Sequence, residues 1–152
     1  MKRAAVFFCV ISLFFFVSCG RADKRSALDI LSEKMSDVGD IPSGSIYLST
    51  SEEWESSYLS PELLSVMYGE NAEESLALCS DIAIYLSERA PYEIAVFKCY
   101  SSADAENIAA LCMKRMDNMR VILKNTEWYS ASLDSRVEVF GRVVTASFCK
   151  AA

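Results

Sequence analysis

The chain has 152 residues, 52% of them hydrophobic, carries 15 basic against 21 acidic side chains for a formal charge of −6, and contains no histidine. That length suits a single domain with one core, and the acidic balance disfavours nucleic acid and other polyanions as partners. Without imidazole, Ser-His and Cys-His nucleophile pairs and histidine-ligated metal sites are excluded.

Met1-Lys2-Arg3 is a positive start, and Ala4 to Val17 is an apolar run of 14 residues with one hydroxyl, Ser12. Such a run falls short of the roughly 20 residues that span a bilayer and suits the apolar region of a signal peptide. Phe16-Val17-Ser18-Cys19 follows, and it resembles the lipobox of bacterial lipoproteins, with Phe16 where Leu is usual. The resemblance implies residues 1–18 as a lipoprotein signal peptide, Cys19 as a lipidated N-terminus, 19–26 as a tether and 27–152 as one domain. It also implies a diacylglycerol anchor with palmitate-type chains, which holds the protein on the extracytoplasmic face of the cell membrane. Two acyl chains suffice, since each buried CH₂ contributes about 0.8 kcal/mol. Loss of Lys2 and Arg3 leaves 13 basic and 21 acidic residues, a formal charge of −8.

In the mature part, Ser26 is placed to cap a helix in which Leu28, Leu31, Met35 and Val38 recur at helical spacing up to Gly39. Residues 40–60 are rich in serine, with a short strand expected at Ile46–Leu48 and a turn that sets Trp54 beside Tyr58. Both aromatics are expected to fold back as a lid on the core, the alternative being an exposed contact site. Ser60-Pro61-Glu62 opens a short helix that Tyr68-Gly69 closes. From Leu76 to Leu86 the pattern turns extended, and Glu93–Tyr100 reads as an inner strand, apolar on both faces at its middle.

Ser101-Ser102-Ala103-Asp104 is a capping pattern for a long helix with basic residues towards its end. Its apolar face holds Ile108, Leu111, Cys112, Met116, Met119 and Leu123. Gly141-Arg142 joins residues 136–140 and 143–150 as a two-residue hairpin, with Val137, Val139, Val144, Ala146 and Phe148 on the core face. Two hairpins with a helix between them predict an α+β fold. An antiparallel sheet of about four strands carries the long helix and one or two N-terminal helices in two layers.

The stretch from about Leu63 to Phe148 resembles a family of small bacterial lipoproteins defined only by a domain of unknown function. The matching features are Tyr68-Gly69, EIAVFK at Glu93–Lys98, the Ala-rich helix after it with Arg115, an aromatic near Trp128-Tyr129, and the run from Gly141. The resemblance implies the anchor and a single domain, and it implies no activity, ligand or catalytic residue.

Arg115 breaks the pattern of the long helix. On a wheel of 100° per residue it lies at about 340° from Ile108, between Leu111 and Met119, and points into the apolar stripe. A guanidinium there needs a carboxylate, and Glu93 or Glu138 is the expected partner. The pair is expected to fix helix on sheet, the alternative being an anion-binding arginine. Cys79, Cys99, Cys112 and Cys149 allow three full pairings, and spacing selects none; they are expected as small apolar core residues rather than disulfides. No cofactor or metal is expected, since a zinc site would need all four from scattered elements.

The function that fits is a noncatalytic binding or adaptor domain of the cell envelope, engaging an envelope protein or a small ligand. Arg115, Glu93, Trp54, Tyr58 and Trp128 are its candidate contacts. The alternative is a histidine-free envelope enzyme built on a Ser/Lys pair or on carboxylates.

Overall fold

The structure is a computed structural model and describes residues 23–148. The lipidation candidate Cys19, the signal peptide and Cys149 lie outside the described residues. Helix α1 (Ala27–Val38) starts where expected. The Ser26 side chain accepts from the Asp29 amide, the Asp29 carboxylate accepts from the Ser26 amide, and Gly39 ends the helix at φ 83°. The elements that follow are β1 (Gly44–Leu48), α2 (Pro61–Tyr68), α3 (Ala72–Leu76), β2 (Cys79–Ser87), β3 (Glu93–Cys99), α4 (Ser102–Leu123), α5 (Tyr129–Ser132), β4 (Arg136–Phe140) and β5 (Val143–Phe148).

All five strands are antiparallel neighbours in the order β1-β2-β3-β5-β4. The expected α+β sheet with a long helix between two hairpins is thus present, with β1 as a fifth strand. Gly44 explains how β1 fits its place, because a Cβ there would lie 2.2 Å from the Leu86 carbonyl oxygen. At the other edge Gly141, at φ 61°, supplies the left-handed residue of the β4–β5 turn, and Phe140 pairs with Val143.

Strand β3 is central and buried on both faces, with only Lys98 partly exposed. The register puts Glu93, Ala95, Phe97, Val144 and Ala146 on one face and Asp81, Lys98, Val96, Thr145 and Glu138 on the other. Helices α2 and α4 cover the first face. Helix α1 covers the second, where its Ala27 amide donates to Asp81 at 2.7 Å and Lys34 pairs with Glu138 at 2.9 Å. The two helical layers therefore sandwich the sheet instead of sharing one side.

The buried face of α4 is carried by Ala105, Ile108, Ala109, Cys112, Met116 and Leu123. Its centre lies about 60° round from Ile108, so Leu111, about 120° away, is only partly buried and Arg115 sits at the rim, while Met119 lies within the arc yet is also partly buried. Alanines shift the centre, since they permit close approach without a large apolar signal. Ala27 does the same in α1, leaving Leu28 and Val38 exposed. In the edge strand β4, Val139 is 47% exposed although its neighbour Val144 is fully covered.

Among the described residues Phe97 is the largest fully buried side chain, and it packs in a T-shaped pair with the Tyr68 ring at a centroid distance of 5.9 Å. Phe97→Ala is expected to cost about 3–5 kcal/mol in a urea unfolding titration, with the slope unchanged.

Candidate functional site

Arg115 meets Glu93, the first of its two candidate partners. Its Nε donates to Glu93 Oε2 at 2.8 Å, its terminal nitrogen Nη2 approaches the same oxygen at 2.7 Å, and Nη1 donates to the Met67 carbonyl at 2.6 Å. Met67 lies in the last turn of α2, where carbonyls have no partner within the helix, so the guanidinium closes that end. The other oxygen of Glu93 accepts from the Tyr68 hydroxyl at 2.9 Å, and the guanidinium carbon lies 5.4 Å from the Tyr68 ring centroid.

Burial and the Glu93 charge push the Tyr68 phenol well above its ordinary range. Burial alone would lower Arg115, but the charge and hydrogen bonds of Glu93 raise it, so the guanidinium keeps its charge. The space beside the cluster, bordered by Tyr68, Cys112, Met116 and Phe148, is about 10 Å³. That is room for one water at most, so Arg115 is a junction between α4, β3 and α2 rather than an anion receptor.

Glu138, the other candidate partner, lies on the opposite face and binds Lys34. The hydrogen bond from Lys34 holds the Glu138 carboxyl below its usual range. This pair borders an open groove of about 510 Å³ between the second half of α1 and strands β3, β5 and β4. Tyr92, Ile94 and Val38 line its apolar part, while Thr145 and Ser147 present hydroxyls from β5. Arg136 and Lys34 face Asp37, Asp134 and Glu138, so charges of both signs line one site. The sequence reading missed this groove. Its signal was the polar alternation Arg136, Glu138, Thr145, Ser147, which looks identical whether a strand faces open water or half-roofed space.

The aromatic candidates do not converge. Trp54 is 83% exposed on the loop after β1, which overturns the expectation of a lid; the loop closes through its own backbone instead, with Leu48 donating to Ser57 and Leu59 to Leu48. Tyr58 is half-buried and bridges Leu48. Trp128 is half-buried against the core at the start of α5, next to the opposite edge of the sheet.

Cys99 and Cys112 are buried as expected of core cysteines, and Cys79 is half-buried. Cys79 and Cys99 face one another across β2 and β3, with sulfurs 3.7 Å apart. The shared hydrogen bond pushes the Cys79 thiol up and draws Cys99 down. Among the described residues no cluster of Cys, Asp and Glu could hold a metal ion, and no helix is long and apolar enough to cross a membrane.

Comparison with protein-family models, with curated proteins and with solved structures found no match.

Removal of one partner of the buried pair leaves the other charge uncompensated. Arg115→Met is expected to destabilise by about 3–5 kcal/mol, and Arg115→Met/Glu93→Gln by distinctly less. Urea titrations of both variants check this, and equal losses would show that the carboxylate does not need its partner.

Proposed function

We propose that this chain is a lipid-anchored, noncatalytic binding domain on the extracytoplasmic face of a bacterial cell membrane, with the groove between α1 and β3-β5-β4 as its ligand site. The groove carries the reading. It offers about 510 Å³ of open, partly apolar space with both charge signs along its walls. That lining suits a small ligand or a peptide end bearing an anionic and a cationic group. Arg136 would take the anion, and Asp37 and Asp134 the cation. An acidic domain with so few basic clusters is a poor partner for anionic headgroups or wall polymers, which favours a charge-balanced ligand.

The placement is supported by the N-terminal pattern ending at Cys19 and by the resemblance of the domain to small lipoproteins of unknown function. Helix α1 begins directly after the tether, so a wall of the groove belongs to the element nearest the proposed anchor. The noncatalytic reading is supported by the contacts of the groove's one lysine: Lys34 is engaged with Glu138 at 2.9 Å and not with a serine hydroxyl.

Two measurements test this. Cys19→Ser should lose its lipid and leave the membrane fraction; a variant that still co-sediments with membrane removes the anchor. For the groove, the full-length protein in detergent is titrated with free amino acids and dipeptides as charge-paired probes, followed by amide NMR. Shifts are expected at Ile94, Arg136 and Thr145 and should weaken about tenfold or more in Arg136→Ala. If no probe moves these amides, or Arg136→Ala leaves the response intact, the groove is not the site.

A further inference from the structure

Cys79 and Cys99 are paired at the end of the β2–β3 hairpin remote from its turn, just beyond a β-bulge between Cys79 and Asp81. Two hydrogen bonds define what kind of position this is. The Cys99 amide donates away from β2, to the Arg142 carbonyl at 2.8 Å, and the next amide, that of Tyr100, donates to Leu78 at 3.0 Å. Cys79 and Cys99 are therefore a non-hydrogen-bonded pair, the class in which opposing Cα atoms lie closest, at about 4.5 Å. That separation falls inside the roughly 4.4–6.8 Å that a disulfide spans. The sulfurs already touch at 3.7 Å, so rotation about the side chains is the main adjustment that bonding needs.

We propose that Cys79 and Cys99 are a built disulfide site, closed by thiol–disulfide exchange with a small or protein disulfide as oxidant. Cys79 is the half-exposed partner and receives the oxidant, while Cys99, 3% exposed, is the resolving thiol. Cys79 is the accessible thiol although the shared hydrogen bond favours the thiolate at Cys99, so it first gives up its proton to water; its sulfur then attacks the oxidant's disulfide, forming a mixed disulfide and releasing one thiolate. The Cys99 thiolate then attacks the Cys79 sulfur and expels the second. Two protein thiols lose two electrons, the oxidant's disulfide gains them, and the two protons end on its thiols. Cys112 stays outside the exchange, because it is buried beside Met116 and Arg115 at the ion-pair cluster.

The bond would fasten the point where β2 follows α3 and where β3 passes through Ser101 into α4. It closes a loop of sequence separation 20, long enough for the unfolded chain to lose appreciable freedom. Neither the anchor nor the groove enters this chemistry.

The full-length protein in detergent is reduced, freed of reductant, equilibrated with oxidised glutathione, and mapped by mass spectrometry without reduction. The expected result is a peptide pair joined through Cys79 and Cys99, formed equally in Cys112→Ser and absent from Cys79→Ser and Cys99→Ser. Reductant should lower the melting temperature of the wild type by roughly 5–10 °C and leave Cys79→Ser unchanged. Recovery of both thiols free at equilibrium, or of either one joined to another cysteine, overturns the proposal. So does a melting temperature that does not respond to reductant in the cross-linked protein.

Discussion

One guanidinium joins three elements of this domain. Arg115 reaches the first residue of the central strand through Glu93, the open end of α2 through the Met67 carbonyl, and the face of Tyr68 by stacking. The attraction within such a pair roughly offsets the cost of taking two charges out of water, so its worth lies in geometry more than in net stability. Apolar packing positions α4 on the sheet through shape, and a directed bond between charged groups sharpens that position. A carboxylate with two oxygens assigned, one to Arg115 and one to Tyr68, supplies that bond. Among the described residues no buried side-chain nitrogen or oxygen is left without a partner, as this arrangement requires.

The other face of the sheet is covered differently, and helix length explains the difference. Helix α4 has 22 residues and spans about 33 Å, enough to run the length of its face, while α1 has 12 and spans about 18 Å. Starting over β2 at Asp81 and reaching β4 at Glu138, α1 crosses the sheet obliquely and leaves parts of β3, β5 and β4 beside it unroofed. The groove is the remainder. Residues that border it need to tolerate water, and the alternation of Arg136, Glu138, Thr145 and Ser147 provides that tolerance on the same strands whose valines and Phe148 close the opposite core.

How far the sequence could be read follows from which residues carry a local signal. Caps and turns were legible because their chemistry is confined to four residues: Ser26 before α1, Ser60 with Pro61, Ser101 with Asp104, and Gly141 in its hairpin. Arg115 was legible as a charge out of pattern, and Glu93 as one of two candidate partners, because burying a charge without a partner is costly; strand register, which puts Glu138 on the other face, decided between them. Faces built on alanine were misjudged, since Ala27, Ala105 and Ala109 add little apolar weight yet decide where backbones approach. The short α3 and α5 went unseen, as neither has a side-chain cap to mark its start. Trp54 was misjudged for a different reason: backbone and serine hydrogen bonds closed its loop without needing the indole, so its apolar area was no guide to its burial. The groove and the Cys79–Cys99 pairing depend on strand order and on helix placement, which no short window of residues encodes.

Helix α1 is held unequally at its two ends. At its start the Ala27 amide is bonded to the Asp81 carboxylate in a part-buried position, and the Lys98 ammonium reaches the Arg25 carbonyl just before it. Towards its far end the contact across the groove is Lys34 with Glu138, both side chains at least 40% exposed. An exposed pair of that kind contributes at most about 1 kcal/mol and weakens with salt, whereas the charged bond to a helix-terminal amide is shielded and directed along the helix dipole. The groove wall therefore yields before the tether end does. Under the proposed anchoring, a pull on the membrane side is absorbed at Asp81 and Lys98, away from the groove and from the Arg115 junction on the far face.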